Sequence, residues 1–533
     1  MRENLTGGAA VVDALRAHGV TDVFGIPGTH NLELYRYLPA SGMRHVVTRH
    51  EQGAGYAADA YARVSGRPGV LITTSGPGVT NAITALATAY ADSVPVLAVS
   101  PGPPRGTVGS DIGWLHEVKN QQAALDAVTA RSVRVEAADD LPEVVADIFE
   151  GFVTRRPRPV HLEVPVDVLE GSWSPRECAA RPVPPAVSPA PDAIGRVATV
   201  LAQARRPLLV AGGGARGASA EVRALADRGI PVLTTVNGKG VIDESHPNAL
   251  GAGARLAEAH RAMNAADVVL LVGTEIGDSD LWGGTVEPGR PGERVVVRVD
   301  LDPAQMHKNV RADLPLVGDA RLVLAALLEV TPAAFGSRDE HRSARLRSAL
   351  DAEADQAGKP WAAIQSALSG ALPPDTVVAG DSSQVTYYGT VHSWPFTPSN
   401  RLLYPTGYAT LGYGIPAAIG AKVAQPERPV IALVGDGAAM FSIQELMTAV
   451  EQRLPLPVLV VDNGGYAEIR EQMVERDIEP QGVDLREPDF PALARAMGAQ
   501  GFASSSEDEL AALAAAALEA DGPTLIHHRV QPA

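Results

Sequence analysis

Val434-Gly435-Asp436-Gly437 and, after 25 intervening residues, Asn463 within Val461-Asp462-Asn463-Gly464-Gly465-Tyr466 decide how this chain is read. Residues 428–434 are a short apolar run suited to a buried parallel strand, and Gly435-Asp436-Gly437 breaks it where a strand should turn into a helix. The stretch 441–453 carries apolar residues at helical spacing, and 456–461 is a second buried-strand run ending in Asp-Asn. A βαβ unit of this kind sets its strand ends side by side. Asp436 and Asn463 could then reach one cation that also holds a diphosphate at a helix N-terminus. Magnesium prefers six oxygens, which a carboxylate, an amide oxygen, a backbone carbonyl, two phosphate oxygens and a water would supply. Gly-Asp-Gly alone is an ordinary turn. The Asn-Gly-Gly-Tyr after the second strand tips the reading toward a metal and a diphosphate.

The rest of the chain supplies the setting. At 533 residues it is too long for one core and suggests about three domains. A formal net charge of −17 offers no basic stripe, so neither nucleic acid nor a membrane surface is an expected partner. Cys178 is the one cysteine, which excludes an intramolecular disulfide or a thiolate metal cluster. There is no apolar signal core at the start and no apolar run of spanning length, so a cytoplasmic protein is expected.

Two stretches look like crossings between cores: the Pro- and Ser-rich residues 171–193, and the charged, helix-prone residues 336–360. The pieces they separate, 1–170, 190–335 and 355–533, each alternate buried strands with helices. The expected fold is α/β, with three doubly wound parallel-sheet domains.

Five segments together resemble the thiamine-diphosphate-dependent family of acetolactate synthase and the 2-oxo acid decarboxylases. They are Phe24-Gly-Ile-Pro-Gly28, Thr48-Arg-His-Glu51-Gln-Gly-Ala-Gly-Tyr-Ala-Ala-Asp59, Thr74-Ser-Gly-Pro-Gly-Val-Thr-Asn81, Gly407-Tyr-Ala-Thr-Leu411-Gly-Tyr-Gly-Ile-Pro416 and the Gly435-to-Asn463 motif. The likeness covers essentially the whole chain, in the order pyrimidine-binding, middle and diphosphate-binding domain. Trp114-Leu-His-Glu117, Asp278-Ser-Asp280-Leu-Trp282, Pro405-Thr-Gly-Tyr and Asp477-Ile-Glu-Pro-Gln-Gly-Val483 are most similar to the branch acting on 5-guanidino-2-oxopentanoate, or 2-oxoarginine.

The resemblance implies specific roles. Glu51 would bond the aminopyrimidine ring of the cofactor, a task that needs a protonated carboxyl. Leu411 would sit beneath the cofactor and force its bent shape, with the backbone at Ala409 and Leu411 on the pyrimidine edge. Gln384 would contact the diphosphate, and Gly28, Asn81, Gly435, Gly437, Ala438 and Tyr466 would complete the cofactor set. Asp436, Asn463 and the Gly465 carbonyl would hold Mg²⁺.

The resemblance also implies sites built across two subunits, so a homodimer, or a dimer of dimers, is the expected assembly. The middle domain resembles one that holds FAD in acetolactate synthase, but Ala211-Gly-Gly-Gly-Ala215 serves equally well as a tight turn, and FAD is not favoured.

The chain also departs from the family. The paired histidines of the pyruvate decarboxylase branch are missing near His116-Glu117. The catalytic Glu that branch places six residues after the metal Asn is Ile469 here, with Glu468 one step earlier. One step on a helix is about 100° of rotation. By family position, the resemblance makes His116, Glu117 and Gln122 candidates for proton transfer. Asp111, Asp280, Glu468, Glu471, Asp477 and Glu479 are candidates for a guanidinium-binding carboxylate. The expected reaction is decarboxylation of 5-guanidino-2-oxopentanoate to 4-guanidinobutanal and CO₂. The alternatives are an acetolactate synthase-like carboligase and a non-catalytic thiamine-diphosphate-binding protein.

Overall fold

Runs of Val, Leu, Ile and Ala form central strands buried on both faces, as parallel sheets covered by helices require. In the computed structural model, which describes residues 5–175, 178, 180–333, 339 and 341–530, they assemble three sheets whose pairings are all parallel. The first contains β1 (Asp22–Gly25), β2 (Arg44–Val47), β3 (Gly69–Ile72), β4 (Val96–Gly102), β5 (Arg131–Arg134) and β6 (Val160–Pro165), in the order β2-β1-β3-β4-β6-β5. The second contains β7 (Pro207–Ala211), β8 (Val232–Thr234), β9 (Val268–Val272), β10 (Val295–Asp300) and β11 (Leu314–Val317), in the order β11-β10-β9-β7-β8. The third contains β12 (Val377–Gly380), β13 (Arg401–Leu403), β14 (Val430–Gly435), β15 (Pro457–Asp462), β16 (Gln500–Ser504) and β17 (Thr524–Arg529), in the order β13-β12-β14-β15-β17-β16.

The first and third sheets thus share one topology. In each sheet the order reverses between the first and third strands, and ligands of open α/β sheets bind at the carboxyl ends beside such a reversal.

The first and third sheets also share a core. Tyr56, Leu71, Tyr413 and Val434 belong to one buried cluster. At its centre the helix Glu51–Ser65 crosses the helix Gly414–Ala424. Glycine permits the close approach, since a Cβ on Gly420 would lie 2.0 Å from the Ala57 carbonyl oxygen. Tyr413 donates to Asp59 across the crossing at 2.6 Å, and Arg63 pairs with both Asp59 and Asp92.

Where 336–360 reads as a crossing, one helix runs Arg342–Ala371 through Pro360, and the expected start of the third domain at 355 falls inside it. Residues 336–338 and 340 of that crossing, 176, 177 and 179 of the earlier one, and the domain limits at 1, 335 and 533 lie outside the described residues. Among the described residues no helix is long and apolar enough to cross a membrane.

Candidate active site

The reversal in the third sheet lies between β12 and β14, and the site is built there. β14 ends at Gly435 and leads into the helical turn Asp436–Ala439, while β15 ends one residue before Asn463. Gly435 N–H donates to Ser383 Oγ at 3.1 Å, tying the loop after β12 to the end of β14. Asp436 is buried, and its Oδ1 has no hydrogen-bond partner among the described residues. Burial, and then the neighbouring Asp462, push its carboxyl above the ordinary range.

A buried carboxylate oxygen left in this state is costly unless a cation meets it. Asn463 Nδ2 donates to Gln384 Oε1 at 3.0 Å, which leaves the amide oxygen of Asn463 free to act as a ligand. Gly465 has φ of +120°, and a Cβ there would lie 2.4 Å from the Val483 carbonyl oxygen, so only glycine fits beside the site. The donor set is hard oxygen throughout and fits a magnesium-held diphosphate.

A cavity of about 560 Å³ opens from this clamp. Gln384, Leu411, Asp436, Asn463 and Glu468 line it from the third domain, and Arg255 and Trp282 from the middle domain. Among the described residues, none that lines it belongs to the first domain. Leu411 projects from a turn with backbone strain at Ala409, where φ is +48°. Asp381 holds that turn: its carboxylate accepts from the N–H groups of Ser382 (2.8 Å), Gly412 (3.0 Å) and Gly414 (3.3 Å), while burial pushes its carboxyl up to about 6.

Glu468 accepts from Tyr387 OH (3.0 Å), Tyr388 OH (3.4 Å), Gln384 Nε2 (3.2 Å) and Gln472 Nε2 (2.9 Å). Burial, and then the Glu468 charge, raise the Tyr388 hydroxyl to about 12. The Arg255 guanidinium lies 4.3 Å over the Trp282 ring and 2.9 Å from His392 Nε2, with no acid partner among the described residues. Burial lowers its pKa.

Glu51 sits elsewhere in the chain, at the start of its helix, 8% exposed and accepting from Asn81 Nδ2 at 3.0 Å. Gly28 lies in the same neighbourhood, where a Cβ would meet the Thr74 side chain at 2.8 Å. His116 also belongs to this first-domain patch, facing Ser75. Gly28 follows β1, Glu51 follows β2, Asn81 follows β3 and His116 follows β4, so these residues come from the carboxyl-end loops around the reversal of the first sheet.

Three expectations are corrected. Gln122 donates to the Ser132 carbonyl at 2.9 Å and faces β5. Its neighbour Gln121 is the buried one, accepting from Gly76 N–H at 2.9 Å, because successive helix positions point about 100° apart. Asp280 lies in a second cavity of about 490 Å³ at the β7/β9 reversal, bonded to Thr274 Oγ1 at 3.1 Å and pushed by burial up to about 6. Asp477 is exposed, in a left-handed turn after the helix Ala467–Glu475, and does not line the active-site cavity.

Among the other candidates, Asp111 and Glu479 are exposed. Glu117 is occupied by the N–H groups of Gly113 and Trp114 in its own loop. Glu471 accepts from Gln384 Nε2 at 3.0 Å. Sequence reasoning missed Arg255, His392 and the role of Asp381. Only Asp381 had a local signal, a carboxylate at a buried strand end.

Three family models match in succession: the thiamine pyrophosphate enzyme N-terminal TPP binding domain over residues 5–125, the central domain over 194–327 and the C-terminal TPP binding domain over 381–528. The chain belongs to the thiamine pyrophosphate enzyme family. Among its relatives, a probable 2-ketoarginine decarboxylase of Pseudomonas aeruginosa is 42% identical, covering 99% of this chain and 94% of that protein. A probable acetolactate synthase large subunit of Methanocaldococcus jannaschii is 34% identical, covering 99% and 92%. The acetolactate synthase isozyme 2 large subunit of Escherichia coli is 33% identical, covering 98% and 95%.

Proposed function

We propose that the protein is a thiamine-diphosphate- and Mg²⁺-dependent decarboxylase that converts 5-guanidino-2-oxopentanoate to 4-guanidinobutanal and CO₂. The observation that carries the reading is a cavity of both signs: Glu468 beside two tyrosines, and Arg255 over Trp282 with no ion pair among the described residues. A substrate with a planar guanidinium at one end and a carboxylate at the other matches that pattern. The relative named as a 2-ketoarginine decarboxylase supports the same substrate.

Thiamine diphosphate, when bound, supplies the electron sink that lets the carboxylate leave. Asp436, Asn463 and the Gly465 carbonyl would hold the metal and diphosphate, and Gln384 would position Asn463 and Glu468 around them. Leu411, on the turn fixed by Asp381, would support the cofactor's shape. Glu51, braced by Asn81, would face the pyrimidine. Because no first-domain residue lines the cavity, Glu51 would come from a second copy of the chain, in a homodimer or a dimer of dimers.

The test is CO₂ release by purified enzyme with thiamine diphosphate and Mg²⁺. Release from 2-oxoarginine is expected. Ready turnover of pyruvate with none from 2-oxoarginine would refute the substrate assignment. The acetolactate synthase relatives favour carboligation as a second reading, and acetolactate formed from pyruvate would establish it.

A further inference from the structure

Arg255 is held in the active-site cavity by a histidine where a carboxylate would be the ordinary partner of a buried guanidinium. It lies in the turn before the helix Ala257–Ala265, and its Nε and Nη2 groups both donate to His392 Nε2, at 3.3 and 2.9 Å. The Trp282 ring covers the guanidinium at 4.3 Å, from a residue strained into the left-handed region at φ of +45°. Nη1 has no hydrogen-bond partner among the described residues. One edge and one face of the guanidinium are thus fixed, and the Nη1 edge is left to the cavity that Arg255 lines.

Arginine offers only donors, so His392 Nε2 accepts and the imidazole is neutral, with its N–H on Nδ1. Burial, then the charges of Arg255 and Lys239, hold it well below its ordinary range. The nearby acids have other partners. Glu468 accepts from Tyr387, Tyr388, Gln384 and Gln472, and Glu244 pairs with Lys239. His392 reaches Arg255 from the end of a wide turn. Val385–Thr390 is π-helical, with Gln365 Nε2 donating to the Val385 carbonyl at 3.1 Å, and it leads directly into Val391–Ser393. The rings of Tyr387 and Tyr388, at 5.9 and 5.8 Å, and the imidazole therefore gather around one cation. An acid at position 392 would pair with Arg255 and cancel its charge, whereas a neutral acceptor sets its direction and leaves the charge in place.

We propose that His392 is a positioning residue, a neutral acceptor that aims the Nη1 edge of Arg255 at the carboxylate of the 2-oxo acid. This rests on the decarboxylase reading given above. Guanidinium–carboxylate contacts depend on donors held in one plane, and Trp282 and His392 together fix that plane. The carboxylate is also the group that leaves as CO₂, so its contact with Arg255 belongs to the bound substrate and fades as the C–C bond breaks. His392 therefore governs capture of the substrate more than the rate of the chemical step.

The test compares wild-type holoenzyme with His392→Leu, His392→Gln, Arg255→Met and the double variant His392→Leu/Arg255→Met, using 2-oxoarginine. In His392→Leu, KM should rise about 10–100-fold while kcat stays within about threefold. The amide oxygen of His392→Gln can accept in the same place, so both constants should stay within about threefold of wild type. The double variant should be no worse than Arg255→Met, because His392 acts through Arg255. Two inhibitors give a readout without turnover. His392→Leu should bind 5-guanidinopentanoate about 10–100-fold more weakly, yet keep its Kd for butylguanidine, which has no carboxylate, within about twofold. An unchanged KM, an equal loss of both inhibitors, or a double variant worse than Arg255→Met would each overturn the proposal. Wild type that binds 5-guanidinopentanoate in a His392-dependent way but releases no CO₂ from 2-oxoarginine would overturn the decarboxylase reading and leave the positioning role standing.

Discussion

Glu445 offers a direct way to separate the folding of this protein from its chemistry. It lies in the helical turn Ile443–Glu445 of the third domain and is fully buried. Its carboxylate accepts from the backbone N–H groups of Arg49 (3.1 Å to each oxygen) and His50 (2.9 Å), and from Thr448 Oγ1 at 2.7 Å. It thus caps, from another domain, the residues that lead directly into Glu51.

Glu445→Ala would leave the part-buried N–H groups of Arg49 and His50 without this partner, at about 1–3 kcal/mol each. Relief from burying a carboxylate returns part of that, for a net loss of about 2–4 kcal/mol. In Glu445→Gln the amide oxygen still accepts from both backbone groups, and the amide nitrogen donates to a Thr448 hydroxyl that has turned round. The cost should stay within about 1 kcal/mol.

Burial raises the Glu445 carboxyl above its ordinary range, so the folded state binds its proton more tightly than the unfolded chain does. Wild-type stability should therefore fall as pH rises through the window between those two values, and Glu445→Gln should lack that component. Calorimetric unfolding and turnover at saturating cofactor are the assays. The alanine variant should melt several degrees lower and lose turnover because Glu51 moves, whereas the glutamine variant should keep both. An alanine variant with wild-type melting and full turnover would refute the reasoning.

Other outcomes are equally checkable. Glu51→Gln should cut turnover by about 10²–10⁴-fold while thiamine diphosphate binding, followed by tryptophan quenching, is retained; persistent turnover would exclude its assigned role. Asp436→Asn should raise the Mg²⁺ concentration for half-maximal activity by about 10–100-fold, and chelation followed by Mg²⁺ should abolish and restore wild-type activity. His161 is fully buried between Ser100 Oγ and Ser132 Oγ, each at 2.7 Å, and burial pushes its imidazole down to about 3. The unfolded chain takes up that proton first, so stability should be lost as pH falls from about 6.5 toward 3. Urea midpoints across that range should show a weaker acid slope in His161→Gln.

The meeting of Asp436 and Asn463 at one cavity was legible because their spacing follows from local rules. A buried strand, a Gly-Asp-Gly turn, a helix and a second strand place Asp436 and Asn463 together without reference to the rest of the chain. Leu411 and Gln384 line the same cavity, and the resemblance alone named their positions. Arg255 and His392 were out of reach, since 137 residues separate them and only the docking of the middle domain brings them together. Gln122 is a candidate by family position alone, and the rotational phase of the six-residue helix Gln121–Asp126 is too weakly marked in sequence to show that Gln121 is the one facing inward. Asp280 follows a strand end just as a site carboxylate should. That strand belongs to a different sheet with its own reversal, and periodicity does not distinguish one crevice from another.

The cavity without first-domain walls has a genetic consequence. If Glu51 and Asp436 act in the same site from different copies, two proteins that are each inactive at limiting Mg²⁺ can rescue each other there. A subunit carrying Glu51→Gln and a subunit carrying Asp436→Asn form a mixed pair in which one site inherits both defects and the other inherits neither. Random reassortment would then restore about a quarter of the wild-type sites. Two silent alleles expressed together would complement, and a site contained within one chain would leave the mixture inactive.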